Sequence, residues 1–342
     1  MRYLGMPERT QQDWVQKLSN SKYLASKIDC YNEGELVQQL EKRVANILGK
    51  PAALFFSKGM VAQFCAFKAV ETSSGNSSLA LHPLSHLAYD ERDSYRQLLN
   101  LNGHLIGKDQ PFELEDLSAI SSKPGTISVE LPLRRAGFLL PEWDELSALS
   151  DWCKENKVHR HMDGARLWES THYYQKSESE ISVLFDSVYV SLYKGLGALG
   201  GAVLAADEDF IEQCKVWRTR FGGNSYSLFP FIITALEGLD NRHQKIPEYV
   251  IRAKAIAKQL SCFSELEVPE PQTNGFFVFV SGDKESLNLK AEKLTESMGI
   301  KLFNSVTEFP NTQKLMVEIQ VGACHEKITN DEIGEYFAEW LK

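Results

Sequence analysis

Leu36, Leu40, Val44 and Ile47 recur at three- to four-residue spacing through ELVQQLEKRVANIL, residues 35–48, and Gly49 follows as a stop. That pattern predicts an amphipathic helix. The next apolar run, AALFFS, is short and rich in phenylalanine, which marks a buried strand. KGMVAQFCAFKAVE then returns to helical spacing through Val61, Phe64, Phe67 and Lys68. The same grammar repeats: TISVELPL reads as a strand, PEWDELSALSDWCKEN as a helix opened by Pro141, and KVHRHMD as a strand again. Strands alternating with helices predict an α/β fold, a mainly parallel sheet sandwiched between helices.

From about residue 246 the pattern changes to helix (YVIRAKAIAKQLSCF), strand (GFFVFV), helix (SLNLKAEKLTESM), strand (KLMVEIQV) and helix (NDEIGEYFAEWL). This predicts a large domain over residues 1–245, N-terminal segment included, and a smaller C-terminal α/β domain over 246–342. The length of 342 residues fits two domains at roughly 150 residues each. With 43% hydrophobic and 24% charged residues, the composition is that of a globular chain. A net charge of -9 without any block of lysine or arginine leaves no electrostatic footprint for nucleic acid or an anionic membrane, so a small substrate is expected. The first residues, MRYLGMPERTQQDW, lack the apolar core of a secretory signal, and no apolar run is long enough to span a bilayer. The six cysteines are scattered without paired spacing, which predicts reduced thiols and a cytoplasmic location, and neither they nor the eight histidines show metal-ligand spacing.

In open α/β sheets, ligands bind beyond the carboxyl ends of the strands. In DSVYVSLYK, strict alternation puts Val188, Val190, Leu192 and Lys194 on one face, with Lys194 as the last strand residue. Both flanks of Lys194 are apolar, which leaves no solvent-facing stripe for its charge. In VHRHMDGAR, His161 and Asp163 share a side and Asp163 ends the strand before Gly164. In FFSKGM, a strand delivers Gly59 to a helix start, where unpaired amides and the helix dipole favour an anion such as phosphate. His86 follows the short strand LALH and is placed to cap a pocket with a flat ring. An anion-binding helix start, a strand-end acid and a strand-end lysine together ask for a ligand with a phosphate, a protonatable ring nitrogen and a carbonyl. Pyridoxal 5'-phosphate (PLP) has all three, and Lys194 is then the residue that forms an imine with it.

HMDGARLWES followed by YVSLYKGLGALGGAVLA resembles the low-specificity L-threonine aldolase and β-eliminating lyase family of fold type I PLP enzymes. The likeness runs from YNEGELVQQLEKRVANILGKPAALFFSKGMVAQ through HPLSHLAYDE and VELPLRRAGFLLPEWDEL to Gly222-Gly223. It implies that Lys194 carries the cofactor, Asp163 pairs with the pyridine nitrogen, His86 stacks on the ring and Arg166 holds the substrate carboxylate. It also implies a homodimer or homotetramer.

The chain departs from the family pattern at several positions. Its phosphate turn reads Lys58-Gly59-Met60 where the family has serine-glycine-threonine, and Tyr226 stands where many members place a phosphate-binding arginine. Lys58, alone or alongside Arg220, is the candidate replacement. The family's C-terminal carboxylate-binding arginine is missing too, since KLMVEIQVG carries Glu318 amid apolar residues. The expected activity is cleavage of the Cα–Cβ bond of a β-hydroxy-α-amino acid, with His86 or a water it orients taking the hydroxyl proton. β-Elimination, racemisation and non-catalytic PLP binding are the alternatives.

Overall fold

Leu36, Val37, Leu40, Val44, Ala45 and Leu48 form the buried face of the first long helix, Glu35–Leu48 (α1), which closes on Gly49. Gly49 adopts φ +63°, and its N–H reaches back to the carbonyls of the last turn, a conformation that only glycine takes freely. The computed structural model describes residues 1–342. It comprises two units, one of Gln11–His243 and one of Gln244–Lys342 together with Met1–Thr10.

In the larger unit, β1 (Ala52–Phe56), β2 (Ser78–Leu81), β3 (Asn102–Leu105), β4 (Thr126–Glu130), β5 (His159–Gly164), β6 (Ser187–Ser191) and β7 (Ala202–Ala206) make a single sheet. Its spatial order is β1-β7-β6-β5-β4-β2-β3. Strands β3, β2, β4, β5 and β6 pair in parallel, and β7 lies antiparallel to both β6 and β1. The sheet is therefore mainly parallel with one reversed strand. β6 and β7 are buried along their whole length, as central strands covered on both faces must be.

Helix Gly59–Ser74 (α2) is apolar nearly all round because two clusters enclose it. Ala62, Cys65, Ala66 and Ala69 pack with Leu54, Phe56, Ala202 and Leu204, and Phe64 and Phe67 pack with Leu79, Leu81 and Tyr95. Burying a large side chain of this kind contributes about 1.5–3 kcal/mol, so the start of α2 is held firmly against the strand ends.

The smaller unit has a four-stranded antiparallel sheet ordered β10-β11-β9-β8, from Leu266–Glu267 (β8), Gly275–Val280 (β9), Val306–Glu308 (β10) and Leu315–Gln320 (β11). The predicted boundary at 245 needs a correction at the N-terminus. Arg2 and Tyr3 pair in parallel with Ile300 and Lys301, and Leu4 is buried, so backbone hydrogen bonds tie the first residues into the smaller unit. No helix is long and apolar enough to cross a membrane.

Candidate active site

Three neighbouring parallel strands hold Glu130, Asp163 and Tyr189 level with one another, because Glu130 pairs with Asp163 and Asp163 with Tyr189. In-register neighbours point to the same side of a sheet, and all three line one cavity with about 770 Å³ of empty space, open mouth included. Lys58, Gly59, Met60, His86, Arg166 and Lys194 line it too.

Asp163 is only 4% exposed. One carboxylate oxygen accepts a 2.8 Å bond from Gln63 Nε2, and the other accepts a 3.1 Å bond from the Ala165 N–H. Hydrogen bonds to a charged acceptor contribute about 1.5–3 kcal/mol each, so the carboxylate is fixed in orientation. The Oε1 atom of Gln63 is buried without a partner.

Lys194 is not the end of a strand, as its alternation predicts. β6 stops at Ser191, and the chain bends through Leu192 and Tyr193 before a turn in which the Gly197 N–H bonds the Lys194 carbonyl. The bend breaks the two-residue period, so Lys194 lines the same cavity as Tyr189 rather than following Val188 and Val190. Burial and the nearby Arg166 guanidinium hold its ammonium below the usual lysine range, against the opposing pull of Asp163, Glu130 and Glu169.

Glu130 joins two sides of the cavity. Its carboxylate accepts from the His86 N–H at 2.6 Å and from the Arg134 N–H at 3.2 Å. Burial, and then the charge of Asp163, push its carboxyl up to about 7, although the two backbone donors and Lys194 oppose the rise. The His86 ring is held at the mouth of the cavity, with Nδ1 3.6 Å from Glu91 Oε1 and its side chain 38% exposed. Arg166 places its guanidinium over the Phe138 ring, 5.2 Å from the centroid.

Gly59 opens α2 at the cavity wall, and Lys58 in front of it is exposed and extended, with no side-chain cap bond. A Cβ built on Gly59 would lie 2.1 Å from the Tyr189 hydroxyl oxygen, so glycine is required there by close approach rather than by backbone angle. Gly59→Ala is accordingly expected to destabilise the fold by about 1–3 kcal/mol through overpacking, read as a lower denaturant midpoint at unchanged slope. Met60 is buried and brings no hydroxyl to the turn.

Arg220 does not join the site. It is exposed, with its guanidinium 4.5 Å from the Trp217 ring centroid, outside the cavity lining. Tyr226 is exposed as well and meets Tyr31 edge to face at 5.6 Å. The residues that motif reading misses are Gln63, Glu130, Tyr189, Asp90 and the Arg134-Arg135 pair, all of which line the cavity. A signal existed for Gln63, which lies four residues beyond Gly59 and so on the same face of α2. Glu130 had one as well, as the single charged residue closing the strand TISVE.

A mainly parallel sheet that brings a strand-end acid, a lysine on the bend beyond a strand and a helix start to one cavity has the architecture of fold type I PLP-dependent enzymes. Residues 26–283 match the model of the beta-eliminating lyase family. A structure from Listeria monocytogenes, provisionally described as an L-allo-threonine aldolase, superposes with a TM-score of 0.93 at 31% identity, covering 99% of this chain and 95% of that one. The low-specificity L-threonine aldolase of Candida albicans is 28% identical over 324 residues, spanning 89% of this chain and 79% of the relative. The chain belongs to the beta-eliminating lyase family.

Proposed function

We propose that this chain is a PLP-dependent aldehyde-lyase that cleaves the Cα–Cβ bond of β-hydroxy-α-amino acids, with threonine to glycine and acetaldehyde as the type reaction. The observation that carries the reading is the convergence of Lys194, Asp163 and the amino end of α2 on one cavity. The donor set suits the cofactor. Asp163 presents an oriented carboxylate to a ring N–H, the amides at the start of α2 suit a phosphate, and Lys194 is an amine with depressed proton affinity. When bound, PLP supplies a carbonyl for Lys194 and an electron sink for the breaking bond.

Within this reading, Asp163 would hold a proton on the ring nitrogen of the bound cofactor, and Gln63 keeps Asp163 aimed. His86, its backbone anchored by Glu130, would cover the face of a bound ring, and His86 or a water it orients takes the β-hydroxyl proton as the carbon–carbon bond breaks. Arg166 binds the substrate carboxylate. Lys194 returns a proton to Cα, so that threonine is divided into glycine and acetaldehyde with no atom left over. The exposed apolar side chains Leu24, Ile28, Tyr31 and Tyr226 support assembly into a homodimer or homotetramer.

Purified protein loaded with PLP and given threonine, allo-threonine, serine and alanine should release glycine and acetaldehyde in equal amounts from the first two. Ammonia with a keto acid, or an enantiomer without carbon–carbon cleavage, would overturn the aldolase assignment. Lys58 takes over part of the phosphate's charge balance in this reading. A charged hydrogen bond to phosphate is worth ~1.5–3 kcal/mol, so Lys58→Met should weaken cofactor affinity by roughly tenfold to a hundredfold. Titration of the apo-protein with PLP checks this; equal affinities would leave the phosphate to the backbone amides alone.

A further inference from the structure

Glu169 is fully buried, at 0% exposure, and neither of its carboxyl oxygens accepts a hydrogen bond from another residue. It ends the short turn Leu167–Glu169 beyond the Asp163-Gly164-Ala165-Arg166 segment, where Leu167, Trp168 and Ser170 are buried around it. The Trp168 indole N–H bonds the Ser191 carbonyl at 3.0 Å, which pins this turn against the end of β6. Glu169 packs directly behind the bend that carries Lys194: a Cβ added to Gly195 would lie 2.6 Å from Glu169 Oε1. The group is not among the cavity-lining side chains, so it touches neither substrate nor cofactor there.

Leaving a buried carboxyl without partners is costly, and such groups in native proteins call for a reason. We propose that Glu169 is a positioning residue for Lys194: its carboxyl, packed behind the Lys194-Gly195 bend, adds to the negative charge that holds the proton on the Lys194 amine and so moves the pH at which that amine is free to attack an aldehyde. The proposal rests on the reading of Lys194 as the cofactor-bearing lysine.

The charged neighbours are few. Lys194 experiences Arg166, Asp163, Glu130 and Glu169, with Tyr193 under its ammonium at 5.9 Å from the ring centroid; Glu169 experiences Arg166 and Lys194. Burial pushes the Glu169 carboxyl up to about 7, with Arg166, its own backbone N–H and Lys194 opposing. Its charge therefore changes near neutrality, a range in which it alters the field at the Lys194 amine. As pH rises through this range, Glu169 ionises and holds the proton on Lys194 more tightly, which delays release of the free amine. Asp163 and Glu130 act in the same direction from the cavity side, and Arg166 acts against all three.

The test uses the full chain stripped of cofactor. An amine-acylating reagent is applied across a pH series, and labelling of the Lys194 peptide is followed by mass spectrometry. In Glu169→Gln, which keeps shape and removes the charge, the Lys194 labelling midpoint should fall by about 0.5–1 pH unit. Glu169→Asp, with its carboxyl withdrawn by one methylene, should fall between parent and Gln variant, and it decides the matter if the Gln variant does not fold. Midpoints equal to the parent's in the folded variants would overturn the proposal and leave Glu169 a packing residue. The cofactor reading fails separately, if borohydride fixes PLP on a lysine other than Lys194 while the midpoint shift persists.

Discussion

Lys194→Ala is expected to fold normally, to bind PLP only reversibly, and to lose turnover by on the order of 10⁴-fold or more. The size follows from what the amine provides. A group held in a cavity reacts with an effective molarity far above any free amine in solution, and in the proposed reaction it also returns the proton to Cα. Lys194 lies on the bend beyond β6 rather than in its ladder, and truncating its side chain leaves the bond from the Gly197 N–H to its carbonyl in place. Borohydride treatment followed by peptide mapping reads the result: the parent should retain PLP on the Lys194 peptide and the variant should retain none. Added methylamine should restore part of the activity, since it replaces the missing amine without its positioning. Undiminished turnover in Lys194→Ala would transfer the role to another lysine.

Asp163→Asn should keep the fold and most of the cofactor affinity yet lower kcat by roughly a thousandfold. Structurally the change is tolerable because of Gln63. In the parent, Gln63 donates to Asp163 and its own Oε1 stands buried and unpartnered. Rotation of the Gln63 amide would offer that oxygen to the new Asn amide nitrogen, while the Ala165 N–H still finds an oxygen. Chemically nothing replaces the charge: a neutral amide does not hold a proton on the ring nitrogen, so the breaking bond loses its sink. The contrast is checked by comparing PLP affinity with kcat, and equal losses in both would mean that Asp163 serves binding alone.

Much of the scaffold is legible in the chain itself. The alternation of apolar strands with amphipathic helices foretells the α/β sheet, and the spacing in ELVQQLEKRVANIL ends at Leu48 as the helix does. Asp163, Gly59 and His86 reach the cavity that strand-end logic points to, and Lys194 and Arg166, the latter placed by the family resemblance, line it too. What escapes is set by non-local geometry. Periodicity carries Lys194 along β6, but the backbone leaves the strand at Ser191, and only pairing with β7 determines that exit. Tyr189 looks like any core aromatic until β5 and β6 come into register and bring it beside Asp163. Arg220 reads as a nearby cation in sequence, yet the final turn of its helix directs it over Trp217. The pairing of Arg2 and Tyr3 with Ile300 and Lys301 spans nearly the whole chain, a distance no local pattern encodes.

Glu130, Asp163 and Tyr189 are borne on adjoining strands, whereas His86, Asp90, Glu91, Arg134 and Arg135 come from turns and short helices at the rim. Moving any of the first three requires shifting the register of a buried ladder, which reverses the facing of every side chain in that strand. Rim residues carry no such burden, and Glu130 fastens them through two of their backbone amides rather than their side chains. Rim side chains other than His86 can thus be exchanged while the anchoring bonds persist. The sheet thus fixes Glu130, Asp163 and Tyr189 as an invariant floor, and change in the cavity is left to the collar of turns around it.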